Sequence, residues 1–210
     1  LNVFHISTAL ELNLFDNSIG LNDKKITSEV CAHHLWFTEN NYSELGSKIK
    51  WNPAIKSDND RDALWQALKE DKIDIIASDH APHTIEEKNN KYLSCPSGGP
   101  MIQHTILSLL QKCKKYGVSY EKIVEKIAHN PAIIFKVNNR GFLREGYYAD
   151  IVLIDTNTPT HVTKDSLLYK CGWSPFEGQI FDNSIYKTIL NGNVVYEDGK
   201  VNSIPYGKKI

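Results

Sequence analysis

Six residues able to bind a metal or move a proton stand at or just past the ends of apolar, strand-like runs in this 210-residue chain. His5 lies near the end of the run 2–6, His33 and His34 follow the run 25–32, and Asp79, His80 and His83 follow the run 72–78. In a parallel α/β barrel the loops after the strands converge on one face, and the chemistry is done there. Taken singly, a histidine after a strand is an ordinary hydrogen-bonded loop residue, and His33 and His34 are read that way. Cys31 beside them reads as a small buried residue. His104, inside an amphipathic run, reads as a packing residue or an indirect contact of a site, and His129 and His161 as loop residues. Asp79 differs. The string IIASD sets a carboxylate straight after an apolar strand, and a charge in a dry setting needs a partner or a metal. With a histidine at a neighbouring strand end it suits a divalent cation such as zinc. It also suits a base that takes a proton from a metal-bound water, whose pKa falls to about 7. These readings are preferred to a carboxylate that merely caps a loop.

The elements that must hold these groups follow from pattern. Residues 2–6, 25–32 and 72–78 read as strands, and 8–15 as a short helix. Residues 40–46 are a polar helix or loop, and 50–57 are extended, because the residue before Pro53 is pushed out of the α region. Residues 58–71 form a helix capped by Ser57 or Asp58, with Ala63, Leu64, Ala67 and Leu68 on one face. Residues 101–116 form a long amphipathic helix, and 120–128 and 131–135 are two further helical pieces. After about residue 138 the grammar changes to strand and turn. Asn191-Gly192 between β-rich runs marks a hairpin. The fold class is therefore α/β over residues 1–138, with a small β-rich domain over 139–210.

Composition excludes several classes. Lys and Arg number 24 against 25 Asp and Glu, a formal charge of −1, so nothing favours a nucleic-acid binder held by a basic surface. Hydrophobic residues at 41% and charged residues at 23% exclude disorder for most of the chain. No run approaches the ~18 apolar residues of a membrane span. Cys31, Cys95, Cys113 and Cys171 lie far apart with no CxxC, which reads as a reducing, cytoplasmic setting and not a disulfide scaffold. The opening residues lack a basic region and a cleavage motif, so no secretory leader is expected. A start at Leu1, directly in a strand-like run, reads as a chain cut from something longer.

Several strings together resemble the dihydroorotases of the amidohydrolase superfamily. They are VFHIST (3–8), SEVCAHHLWFT (28–38), KWNPAIKS (50–57), ASDHAPHTIEEK (77–88), PSGGPMIQH (96–104) and REGYYADIVLID (144–155), in family order across nearly the whole chain. The histidine of DHAPH leans toward dihydroorotase over hydantoinases, dihydropyrimidinases and allantoinases. The resemblance implies a (β/α)8 barrel with two zinc ions and a flanking small β domain of composite type. It implies that residues 1–138 supply barrel strands six to eight. The implied reaction interconverts N-carbamoyl-L-aspartate and L-dihydroorotate in pyrimidine synthesis. Carried over by motif, His5 and Asp79 are metal ligands, and Asp79 is also the catalytic proton carrier. Asn52, His83, Ser97 and Gly98 are substrate contacts, although many relatives have Phe where Ser97 stands. A Gly-Gly turn is expected to leave its backbone N–H groups free to approach a ligand.

The departures are as informative. No HxH occurs, and the bridging carboxylate or carboxylated lysine, the further metal histidine and the substrate-carboxylate Arg and Asn are not found. The expectation is a piece of a longer enzyme, inactive by itself. Its partner is a small molecule, with no nucleic acid and no membrane, and a homo-oligomer is compatible. The alternatives are another cyclic amidase, or a dihydroorotase-like scaffold without catalysis.

Overall fold

The computed structural model describes Leu1–Lys209. Three strands, β1 (Asn2–Val3), β2 (Thr27–Cys31) and β3 (Ile75–Ala77), form a parallel sheet in the order β1-β2-β3. The middle strand β2 is buried at every residue, as a strand covered on both faces must be. Being parallel, the three strands end on the same side of the sheet, with His5 just past β1, Cys31 closing β2 and Asp79 just past β3.

A single 3-10 turn lies between β1 and β2, and helices make the crossover from β2 to β3. Helix α1 (Ala32–Trp36) begins directly after β2, and α2 (Tyr42–Leu45) follows. Helix α3 (Asp58–Lys69) starts at a capping box in which Ser57 Oγ accepts from the Asp60 N–H and the Asp60 carboxylate accepts from the Ser57 N–H. Its buried face is Leu64, Trp65, Ala67 and Leu68. Beyond β3 come α4 (Ile85–Lys88) and α5 (Thr105–Cys113). Helix α6 (Tyr120–Val124), a π-type turn over Glu125–His129 and α7 (Asn130–Ile134) run on as one helical stretch. Asn130 Nδ2 ties that stretch to the entry of β3 through the Asp74 carbonyl at 2.8 Å.

Two expected elements come out differently. Residues 8–15 make only a one-turn 3-10 segment, Glu11–Leu14. The Glu11 carboxylate accepts from the backbone N–H of Ser7 and Thr8, and this local bonding competes with a helix. Leu10 and Leu14 remain exposed, so no apolar face drives one. The long helix starts at Thr105 and not at 101, because the Met101 N–H is taken by His80 Nδ1 at 3.1 Å and the Gln103 N–H by the Tyr169 hydroxyl at 2.9 Å.

An antiparallel sheet follows: β4 (Ile151–Asp155), β7 (Ser184–Leu190), β8 (Asn193–Glu197) and β9 (Lys200–Val201), in the order β4-β7-β8-β9. Asn191 and Gly192 join β7 to β8 with φ of 50° and 82°, the left-handed pair that a type I′ hairpin needs. Between β4 and β7 the chain leaves this sheet. It forms a two-stranded ribbon, β5 (Thr160–His161) with β6 (Ile180–Phe181), and places Val162, Phe176 and Phe181 in the main core. Phe176 packs on Trp36 and Phe37 of the first part, with ring centroids 5.4 Å apart in each case. The expected division near residue 138 is therefore crossed by a strap from the second part. Among the described residues, no helix is long and apolar enough to cross a membrane.

Candidate metal and substrate site

His5 and Asp79 share an unusual backbone. Their φ angles are 60° and 44°, in the left-handed region that residues with a side chain seldom enter. Each chain segment thus turns sharply on leaving its strand, and such strain collects at functional sites. His5 Nδ1 lies 2.9 Å from Cys31 Sγ and 3.5 Å from a Glu29 carboxylate oxygen. Burial raises the Glu29 pKa, His5 opposes the shift, and the nearby Asp79 charge adds to it. Burial also pushes the Cys31 thiol far up, with Asp79 and Glu29 adding to the effect, so the sulfur is protonated unless a metal binds it.

His33 is wholly buried in α1. Its ring stacks on Trp51, with centroids 4.3 Å apart and planes 7° from parallel. Its Nε2 points to Asp79, 4.0 Å from Oδ2, and neither ring nitrogen has a hydrogen-bond partner. Burial holds its pKa well below the usual histidine value, so the ring is neutral. His34 is buried as well, with Nε2 3.0 Å from the Pro53 carbonyl and a pKa lowered by burial to about 4. The reading of this pair as hydrogen-bonded loop residues is corrected. They are helical and buried, and the His33 ring makes no hydrogen bond, because α1 starts at once after β2 and turns both rings into the interior.

This donor set fits zinc. Imidazole, carboxylate and sulfur are its usual ligands. The donor atoms of His5, Glu29 and Cys31 lie within 4.8 Å of one another, and so do those of Cys31, His33 and His34. A buried imidazole with two orphaned nitrogens beside Asp79 is the feature that plain packing does not explain.

The expected substrate contacts lie on segments that adjoin these residues. Asn52 is exposed, next to Trp51, which is buried against His33. His83 is half-exposed, 3.7 Å from the Glu87 carboxylate, and its carbonyl accepts from Trp173 Nε1 at 2.8 Å. Ser97 is half-buried and Gly98 buried. Gly98 has φ 111°, and a Cβ there would stand 2.5 Å from the Ala81 carbonyl oxygen, so only glycine lets the two backbones meet. The expectation of a free Gly98 amide is corrected, since its N–H donates to the Lys50 carbonyl at 2.8 Å. The loop is knitted to its neighbours by backbone bonds because it offers little apolar surface. Sequence reasoning missed Glu29, Trp51 and Lys88. The acid inside the strand TSEVC was the available signal for Glu29, since a carboxylate on a fully buried strand needs a reason.

A sequence model of the amidohydrolase family matches residues 4–195. A dihydroorotase of Pyrococcus furiosus is 35% identical over 210 residues, which is 100% of this chain and 48% of that protein. A dihydroorotase of Endomicrobium trichonymphae is 37% identical over 199 residues, 94% of this chain and 47% of that protein. The chain thus spans about half the length of the curated relatives it matches. Among solved structures, an L-hydantoinase (dihydropyrimidinase) from Arthrobacter aurescens superposes with TM-score 0.85 at 26% identity, covering 96% of this chain and 46% of that one. A D-hydantoinase (dihydropyrimidinase) from Thermus sp. gives TM-score 0.84 at 19% identity over 96% of this chain and 45% of that one, a likeness of fold alone.

Proposed function

The chain belongs to the amidohydrolase family, and from that premise we propose that it forms the C-terminal half of a zinc-dependent dihydroorotase. In this reading residues 1–138 supply strands six to eight of a (β/α)8 barrel, and 139–210 supply the small β domain. The observation that carries it is that His5 and Asp79 leave strands β1 and β3 at the same end of the parallel sheet, on either side of the strand that Cys31 closes. His5 and Asp79 would hold metal, with the remaining ligands of a two-ion site coming from the other half of the enzyme. Zinc, when bound, polarises the ring carbonyl as a Lewis acid.

The chain's own residues do the rest. The Asp79 carboxylate takes the proton of the attacking water while the oxygen adds to the ring carbonyl carbon. It returns that proton to the ring nitrogen as the C–N bond breaks, which yields N-carbamoyl-L-aspartate. In the opposite direction it takes the ureido N–H proton as the ring closes. Neutral His33 gives Asp79 an uncharged neighbour on its buried side. Asn52, His83 and the Ser97–Gly98 turn orient the substrate, and positioning of this kind supplies several kcal/mol. The protein acts on a small molecule in the cytoplasm, within pyrimidine synthesis.

A second reading is a different cyclic amide, supported by the hydantoinase superposition at TM-score 0.85. Ring-opening assays of the complete enzyme with dihydroorotate, hydantoin and allantoin separate the two. Turnover of dihydroorotate is expected to dominate. Preference for hydantoin or allantoin would remove the substrate assignment and keep the family. No turnover of any ring by zinc-loaded enzyme would favour a scaffold.

A further inference from the structure

The loop 92–99 carries Ser97 and Gly98, and it has little apolar surface to hold it. Tyr92 and Leu93 are exposed, and Cys95 is its buried apolar side chain. Two ammonium groups hold it instead. Lys88, at the end of α4, is wholly buried. Its Nζ donates to the carbonyls of Pro96 at 2.9 Å and Gly98 at 2.8 Å, and reaches that of Lys50 at 3.5 Å. From the other side, Lys50 Nζ donates to the carbonyls of Tyr92 at 2.6 Å and Cys95 at 2.7 Å. The Gly98 N–H closes the circuit on the Lys50 carbonyl at 2.8 Å. Ser47 Oγ donates to the carbonyl of Lys88 itself and fixes its backbone.

The chemistry of the match is specific. An ammonium has three protons and no acceptor, and Lys88 meets three carbonyls. Its bonded partners are all backbone oxygens, with no carboxylate among them. Burying a charge without a counter-ion is costly, and a Met or Leu would fill the same space without that cost. The charge is therefore there for the carbonyls. What the carbonyls carry is a turn pressed onto the segment just after Asp79. Ala81 N–H donates to the Gly99 carbonyl at 3.2 Å, and Gly98 sits where a Cβ would strike Ala81.

We propose that Lys88 is a positioning residue whose ammonium, through the carbonyls of Pro96 and Gly98, sets the Ser97–Gly98 turn at the rim of the substrate site. The inference rests on the reading of that turn as a substrate contact.

In the complete enzyme, Lys88→Met keeps the stem and removes the ammonium. The expected result is KM raised roughly tenfold with kcat within about threefold, for the loss of charge-assisted bonds behind a binding loop. Zinc content should not change, and the amides of Gly98 and Gly99 should exchange with solvent faster in the absence of substrate. A merely structural lysine would lower the melting temperature and leave KM alone. Unchanged KM and unchanged exchange in the folded variant overturn the proposal, as does a fall in kcat alone. Should Lys88→Met fail to fold, Lys88→Gln keeps a donor without a buried charge, and an intermediate KM is expected of it. Wild-type KM in Lys88→Gln overturns the proposal, and so does failure of both variants to fold, which would make Lys88 a core residue. The exchange measurement needs no substrate, so it stands apart from the dihydroorotase reading. A wild type that opens hydantoin instead overturns the substrate assignment alone, and the KM comparison is then made with hydantoin.

Discussion

Acidification should destabilise this protein through a buried histidine outside the proposed ligand set. His104 is 1% exposed at the start of α5. Its ring faces Phe176 and Phe181, and its polar neighbours are the hydroxyls of Tyr169 and Ser174, each 3.4 Å from Nδ1. Burial lowers its pKa from 6.5 to about 4. The unfolded chain therefore takes up a proton that the folded chain refuses. The stabilisation is complete above about pH 6.5 and drains away as the pH falls toward about 4, where it has lost roughly 3 kcal/mol. At pH 5.5 the loss is already about 1.4 kcal/mol, a factor of about ten in the folding equilibrium. His34, also lowered by burial to about 4, adds a loss of the same sign in the same window. His104→Leu removes its own titration and leaves those of the other buried histidines, His33 and His34. Urea unfolding of wild type and variant at pH 8 and pH 5.5 measures the difference. The drop between the two pH values should be smaller in the variant by about 1.4 kcal/mol. An equal drop in both proteins, or an NMR titration of the His104 ring with a midpoint near 6.5, would refute the reasoning.

Asp79→Asn in the complete enzyme should abolish ring opening in both directions while the circular dichroism spectrum is kept, and near-normal turnover would refute its proposed role as proton carrier. His83→Ala should raise KM and lower kcat with zinc content unchanged, because His83 is read as a substrate contact. Loss of one zinc per chain on metal analysis would make it a ligand instead. The 210 residues purified alone should bind zinc weakly and turn over no dihydroorotate, since the proposed ligands His5 and Asp79 supply two donors where a zinc site uses about three or four. Tight stoichiometric zinc with measurable turnover would contradict this and point to Glu29, Cys31 or His33 as the added donors.

Local signals made much of this architecture legible. Asn191-Gly192 demanded a left-handed pair and formed the β7–β8 hairpin. Ser57 with Asp60 formed the cap of α3. The run before Asp79 became β3, parallel to β2. What failed to show needed partners distant in sequence. The strap that puts Phe176 on Trp36 is a contact across 140 positions, and nothing in its spacing announces it. The burial of His33 follows from the immediate start of α1 and from a stack on Trp51, and neither is a local property. At the site, the residue types were visible as motifs. Their electrostatic company was not, because Glu29 and Cys31 reach His5 only once β1 and β2 are paired.

The left-handed backbone at His5 and Asp79 decides how these positions can be interrogated at all. Asparagine, aspartate and glycine visit that conformation readily, whereas other side chains with a Cβ cost roughly 1–2 kcal/mol there. An alanine scan would therefore mix two losses, the side chain's chemistry and the geometry of the turn that presents it. Asparagine keeps the turn and removes the ionisable group, so at both positions it isolates the chemical loss. Comparing asparagine with alanine at each then reads out the conformational component directly, as a difference in stability between two proteins that lack the same function.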